Sequence, residues 1–297
     1  MLRQRRNLLN DLSGREWIKF TKSWFIHNPP RRTKGELLHP AKFPETLVGE
    51  FIRFFTKPGQ VVLDPFAGTG STLVAAAQHG RRGVGVELVD RYATIARDRA
   101  QKAARLHALA AGNGQNGHRD SPAPAPASVA DISPLVIAGD ARDLTGLLRE
   151  SGIESIDYCI TSPPYWNQLQ RHSLRQQSRL NQNLDTKYSA DPRDLGNISS
   201  YEQFLAEQKA IFDQVYTLMR DGGYLTVITN NVYTAGRLFP LAFDTLTTLS
   251  RTWVPKDERI WLQDDKRLLP LGAYSAWVGN RHHQYCLILR KEERRAL

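Results

Sequence analysis

The sequence predicts an α/β fold, a doubly wound, mainly parallel sheet of seven strands with an antiparallel edge strand. Two observations carry this. Short β-branched apolar runs alternate with longer helical patterns through most of the chain, as in parallel sheets wound with helices on both faces. The last two apolar runs have no helical pattern between them, so they form a hairpin and bring an antiparallel strand to the sheet edge. The 297 residues suit one large domain, with 41% hydrophobic and 24% charged residues. Those are ordinary globular values and exclude global disorder, collagen and coiled coil.

The elements follow in chain order. Residues 1–35 form an N-terminal arm rich in Arg, Trp and Phe. Trp17, Phe20, Trp24 and Phe25 are spaced as a buried helix face rather than as a base-stacking platform. Strands are read at 61–64 (VVLD), 83–87 (GVGVE), 135–138 (LVIA), 156–161 (IDYCIT), 223–229 (GYLTVIT), 258–263 (ERIWLQ) and 283–290 (HQYCLILR). Helical patterns fall at 71–79, 89–110, 141–151, 201–220 and 237–250. Residues 112–134 begin with Gly/Asn and Pro/Ala low complexity and read as a flexible insertion before a strand. Residues 167–199 carry Gln, Asn and Arg with few aliphatics. No fixed-period repeat is present.

Charge and targeting narrow the function. The net charge of +10 favours a polyanionic partner such as nucleic acid. No apolar run approaches the roughly 20 residues needed to span a bilayer. The basic N-terminus has no long apolar stretch behind it, so it is not a secretory signal. Cys159 and Cys286 lie in apolar β runs and read as core thiols in a reduced, cytoplasmic compartment.

Three motifs carry chemistry. Asp64-Pro65-Phe66-Ala67-Gly68-Thr69-Gly70-Ser71 joins a strand to a helix. Its glycines let backbone approach a ligand, and the helix N-terminus offers free N–H groups. No Gly-Lys-Ser/Thr follows, so it is not a P-loop. Leu73 occupies the third glycine position of a dinucleotide fingerprint. Asp64 would repel a pyrophosphate and welcome a cation, as in S-adenosylmethionine; read blandly, the string is an ordinary strand-to-helix turn. Glu87 closes the next strand, where an acid accepts from both ribose hydroxyls, or else serves the dipole of the helix at 89–110. Asp140 is placed to accept from an adenine amine, to N-cap the helix at 141–151, or both. The third motif, Thr161-Ser162-Pro163-Pro164-Tyr165-Trp166, ends the fourth strand. Its two prolines stiffen the backbone and remove two N–H donors. Rigid acceptors beside an aromatic ring suit a flat heterocycle with an exocyclic NH₂.

Together these residues resemble the amino-methyltransferases of DNA, which use S-adenosylmethionine to methylate N4 of cytosine or N6 of adenine. The likeness covers nearly the whole chain and implies a Rossmann-like methyltransferase fold. His39, Pro40, Lys42 and Phe43, before a helix at 46–56, resemble the segment over the methionine end of the cofactor. The string from Asp64 to Ser71 resembles the cofactor loop, Glu87 and Leu88 the ribose acid and its neighbour, and Asp140 and Ala141 the adenine end. Ser162, Pro163, Pro164 and Tyr165 resemble the catalytic motif, and Asn280 to Tyr285 the closing hairpin.

Serine at 162 points to cytosine N4, with adenine N6 and an RNA amine as the alternatives. Cytosine C5 chemistry is excluded, because it needs a cysteine nucleophile that neither Cys159 nor Cys286 supplies. The target base leaves the stack, Tyr165 stacks on it with Trp166 beside it, and Ser162 and the Pro163 carbonyl accept from its amine. The cofactor loop precedes the catalytic motif, the reverse of many close motif matches. The sequence leaves no room for a separate recognition domain beyond 1–35 and 167–199. Arg171, Arg175, Arg179, Lys187 and Arg193 make the second stretch the candidate DNA contact, ordered when DNA arrives; Arg3, Arg5 and Arg6 are a weaker one. The resemblance implies DNA as partner, a cognate restriction endonuclease, no membrane and no metal.

Overall fold

The computed structural model describes residues 7–28, 43–113, 132–167, 181, 185–186 and 189–293. Ten strands are described: β1 (Trp24–Ile26), β2 (Val61–Asp64), β3 (Arg82–Glu87), β4 (Leu135–Ala138), β5 (Ile156–Thr161), β6 (Met219–Thr229), β7 (Val232–Thr234), β8 (Arg237–Phe239), β9 (Val254–Leu262) and β10 (His283–Arg290). Among the described residues seven α-helices accompany them: α1 (Gly14–Phe20), α2 (Glu45–Phe55), α3 (Ser71–Gln78), α4 (Asp90–Asn113), α5 (Leu144–Glu150), α6 (Tyr201–Leu218) and α7 (Leu241–Leu249).

The main sheet runs β1-β9-β10-β6-β5-β2-β3-β4. From β2 the chain winds outward through β3 to β4, then returns to β5 on the other side of β2 and winds outward again. The point between β2 and β5 is the topological switch, where such sheets bind ligands at their carboxyl ends. The fold class is as the sequence predicts, with two differences. The sheet has eight strands, because β1 adds in parallel beside β9. The antiparallel strand, β10, lies inside the sheet between β9 and β6, and β1 occupies the edge.

Strand side chains alternate between two cores, as the period of two requires. Leu63, Cys159, Leu225, Val227, Leu287 and Leu289 face α5, α6 and α7, packing with Leu144, Phe212 and Trp253. Val62, Tyr158, Ile160, Ile228, Cys286 and Ile288 face the other way, toward α2. Cys159 and Cys286 are therefore buried on opposite faces and stay unpaired.

α3 and α4 pack closely through Leu73, Ala93, Ala96 and Ala100. A Cβ on Gly83 would lie 2.8 Å from the Leu73 Cα, so α3 presses directly on β3. Gly83→Ala is expected to destabilise the protein by about 1–3 kcal/mol through overpacking, read as a lower urea midpoint.

The N-terminal arm departs from the expected helix face. Ser13 and Glu16 form a capping box that starts α1. Trp17 and Phe20 pack on α2, where Phe20 stacks on Phe54 at 4.0 Å. The helix ends before Trp24, which is exposed on β1. The buried guanidinium of Arg259 lies 4.0 Å from the Phe20 ring centre and 4.4 Å from that of Phe25, and it donates to the Lys22 carbonyl at 3.0 Å. This cage holds the edge strand.

The predicted helix at 237–250 begins at Leu241, after Pro240. Residues 237–239 instead pair with β7 across a two-residue turn in which Ala235 (φ 49°) and Gly236 (φ 71°) are both left-handed. The predicted insertion at 112–134 is described only at its margins, the end of α4 and residues 132–134. The rest lies outside the described residues, as do His39, Pro40 and Lys42. Among the described residues no helix is long and apolar enough to cross a membrane.

Candidate active site

The two central motifs meet at the switch point through one buried carboxylate. Asp64 ends β2 and Thr161 ends β5. The Thr161 hydroxyl donates to Asp64 Oδ1 at 2.6 Å, the Phe66 N–H donates to the same oxygen at 3.0 Å, and the Thr72 hydroxyl donates to Oδ2 at 2.6 Å. Burial raises the Asp64 carboxyl above the usual carboxylate range, and those three donors oppose the shift. Asp64 is thus engaged inside the protein, where the sequence suggested a direct contact with a cation. It bolts the glycine loop to the Ser162 motif.

The loop turns through Gly68 (φ 53°) and Gly70 (φ 82°). A Cβ on Gly70 would lie 2.9 Å from the Ala96 Cα, so glycine is required for both turn and packing. No side chain caps the N-terminus of α3. The hydroxyls of Thr69 and Ser71 are buried without a hydrogen-bond partner. A polar group buried without a partner costs free energy, so the loop presents unmet donors and acceptors at one place. Pro65 and Ala67 are buried and Phe66 half-buried, packing on the core beneath.

Glu87 ends β3 beside the loop. Its Oε2 accepts from the Gly68 N–H at 2.8 Å and its Oε1 from the Val89 N–H at 2.9 Å. Burial pushes its carboxyl up to about 7, helped by the charges of Asp64 and Asp194. Leu88 is half-buried next to it. Asp140 caps the 3-10 turn Ala141–Asp143 by accepting from the Arg142 N–H at 2.9 Å. It also pairs with the Arg142 guanidinium at 3.2 Å, which Glu207 holds from α6 at 2.7 Å. Ala141 is buried beneath, and Phe43 packs half-buried on the α2 core.

The Ser162 motif is organised by a residue far along the chain. The Ser162 hydroxyl donates to the Tyr165 hydroxyl at 3.0 Å, and Tyr165 donates to Gln284 Oε1 at 2.7 Å. The Ser162 proton is therefore occupied, and its oxygen keeps lone pairs to accept with. Burial raises the Tyr165 phenol, which stays a donor at neutral pH. Pro163 is buried and Pro164 half-buried. Gln284 was not picked out as a site residue, although it lies within the hairpin string. Only the neighbouring of β10, β6 and β5 brings it to Tyr165.

Trp166 does not stand free beside Tyr165. It is buried with φ 46°, and its ring lies 4.7 Å from Phe239 and 5.0 Å from Tyr201. It braces the β7–β8 hairpin from below.

The candidate DNA stretch is only partly described. Arg171, Arg175, Arg179 and Lys187 lie outside the described residues, as do Arg3, Arg5 and Arg6. Asp185 is held by Arg91 at 2.5 Å and by the Tyr92 hydroxyl at 2.6 Å. Arg193 pairs with Asp191 at 2.7 Å, and Asp194 caps the 3-10 turn Leu195–Asn197. Residues 189–199 are held against the domain by these contacts.

The family model described as DNA methylase, of the N6/N4 class, matches residues 6–98, a stretch that holds the glycine loop and Glu87 and ends before the Ser162 motif. The chain is 34% identical over 113 residues to the orphan methyltransferase M.BamHII of Bacillus amyloliquefaciens, covering 37% of this chain and 41% of that protein. It is 36% identical over 83 residues to the type II methyltransferase M.BglI of Bacillus subtilis, covering 28% of this chain and 23% of that one. These matches span less than half the length of either relative. Among solved structures, TrmN of Thermus thermophilus superposes with a TM-score of 0.47 and 15% identity, over 84% of this chain and 49% of that one. The family model thus matches the stretch with the glycine loop, and the relatives are named as methyltransferases, so over these stretches the chain is similar to the N4/N6 DNA amino-methyltransferases.

Proposed function

We propose that this chain transfers a methyl group from S-adenosylmethionine to the exocyclic amine of a base in DNA, and that the base is cytosine and the atom N4. The observation that carries this is the relay from Ser162 through Tyr165 to Gln284, which turns the serine oxygen into a fixed acceptor at the switch point.

The residues present fit the cofactor. The uncapped α3 terminus and the unpartnered hydroxyls of Thr69 and Ser71 suit its polar methionine end, and Glu87 and Asp140 offer acceptors for its ribose and adenine ends. Bound there, the cofactor supplies an electrophilic methyl group on a sulfonium. His39, Pro40, Lys42 and Phe43 complete the cofactor set in this reading.

The exocyclic nitrogen is a weak nucleophile, because its lone pair is delocalised into the ring. Ser162 Oγ and the Pro163 carbonyl accept from the amine and draw that lone pair out of conjugation. Tyr165 supplies the ring face for the base. Serine has no useful basicity at neutral pH, so the nitrogen would become strongly acidic as it gains positive charge and would then release its proton to solvent water. Positioning and fixed dipoles supply the acceleration. Asp64 is a positioning residue, acting through Thr161 and Phe66. Arg171, Arg175 and Arg179 remain the proposed contacts to DNA. A paired restriction endonuclease fits the same reading, as does a cytoplasmic location.

Methyl transfer from labelled S-adenosylmethionine, with unmethylated DNA and RNA offered in parallel, tests this reading. Label in the DNA supports it, and label confined to RNA or absent altogether contradicts it.

Glu87 gives a pH signature. Its carboxyl in the free protein is pushed up to about 7. The two ribose hydroxyls donate to the ionised form, so the cofactor prefers that form and affinity rises with pH. At one pH unit below that value about a tenth of the carboxyl is ionised, so the Kd is expected to be about tenfold weaker at pH 6 than at pH 8. The gain flattens once pH passes about 7. Glu87→Gln should bind more weakly at high pH and lose the dependence, as calorimetric titration across that range will show.

A further inference from the structure

The connection between β9 and β10 leaves the sheet at the same carboxyl edge as β2, β5 and β6. It concentrates exposed apolar side chains. Trp277 is 92% exposed, Tyr274 is wholly exposed, and Leu268, Leu269 and Leu271 stand exposed beside them. Arg267, Arg281 and His282 lie in the same connection. Of its two acids, Asp264 accepts from the Asn28 amide at 2.7 Å.

The connection is built rather than slack. The Asn280 side chain clamps Leu269 twice, accepting from its N–H at 2.9 Å and donating to its carbonyl at 2.8 Å. The N–H groups of Ser275 and Ala276 both reach the Gly272 carbonyl, at 3.0 and 2.8 Å. Tyr274 is held left-handed at φ 64°, a strained setting for a tyrosine. At the base, the Gln263 N–H donates to the His282 carbonyl at 2.7 Å and the Asn230 amide to the His283 carbonyl at 2.8 Å. The next residue is Gln284, which holds Tyr165 and through it Ser162. The backbone that carries the exposed aromatics is therefore tied to the strand that holds Tyr165 and Ser162.

A base that leaves the duplex for chemistry costs a few kcal/mol of stacking and leaves a gap. Apolar side chains that enter such gaps recover part of that cost. Resting on the DNA reading above, we propose that the Trp277 indole, backed by Tyr274, fills the gap left in the stack by the target base, with Arg267 and Arg281 on the flanking phosphates. The occupant is duplex DNA because the aromatic surface is bordered by cations on a basic chain and is mechanically joined to the acceptor site.

The test uses the full-length protein and two probes. The first is binding to a short labelled duplex, intact or with one central abasic site, which presents the gap ready-made. The wild type should favour the abasic duplex by about tenfold, the worth of one stacked base. Trp277→Ala should equalise the two, and Trp277→Phe should keep part of the preference. The second is methyl transfer to duplex DNA against the same DNA heat-denatured. Trp277→Ala should lose about tenfold more activity on the duplex than on single strands, which have no gap to fill. An abasic preference unchanged in the variant overturns the proposal. So does an equal loss on both DNAs, or a loss of self-association in sedimentation with DNA binding intact. If the wild type methylates nothing yet shows a Trp277-dependent preference, the catalytic reading fails and the wedge stands. If it methylates DNA and Trp277→Ala matches it in both assays, the wedge fails and the catalytic reading stands.

Discussion

Ser162→Ala is expected to lower kcat by about 10²–10³-fold, the usual cost of losing one fixed hydrogen-bonding group at the reacting centre. The Kd for S-adenosylmethionine should stay within about twofold, because the effect is confined to the chemical step. The serine proton is engaged by Tyr165, so what the reaction loses is an acceptor and not a base. Its removal leaves Tyr165 still donating to Gln284, so the fold around it persists. Gln284→Ala gives the complementary result. It frees Tyr165, lets the serine proton turn, and should lower kcat by less than Ser162→Ala does. A variant that loses cofactor binding and turnover in equal measure would show that Ser162 serves the cofactor instead.

Asp64→Ala should have the largest effect on stability, about 3–5 kcal/mol. Two hydroxyls and one backbone N–H would be left in the core without their acceptor. Each such orphan costs roughly 1–3 kcal/mol, reduced where the hydroxyls rotate to other partners. Because Asp64 joins β2 to β5, the same change should weaken cofactor binding and turnover together, unlike Ser162→Ala. Urea unfolding and calorimetric titration on the same preparation separate the two variants. An Asp64→Ala protein as stable as the wild type would mean that the carboxylate is not the bolt described.

Asp64 also shows where sequence reading stops. Its place at a strand end before a glycine turn was legible, because strand and turn are encoded locally. Its partners were not. Thr161 is 97 positions away, and only the pairing of β2 with β5 aims both at one point. Gln284 is the same case at 119 positions. The strands of the sheet could be read from β-branched runs, and two helices from their patterns within a residue or two. β1 could not, since three residues without a run of their own become a strand only inside the cage around Arg259. The β7–β8 hairpin was hidden because Ala235 takes a left-handed turn position usually marked by Asn or Asp. The basic stretch after the Ser162 motif was legible as charge. That Arg193 spends its charge on Asp191 was not.

The central claim is that Ser162 presents an acceptor to a cytosine amine. The most direct test is to incubate the protein with S-adenosylmethionine and unmethylated DNA, digest to nucleosides and identify the product by mass spectrometry, with Ser162→Ala alongside. The account predicts N4-methylcytosine that disappears in the variant. N6-methyladenine, or a methylated base that persists without Ser162, would contradict it.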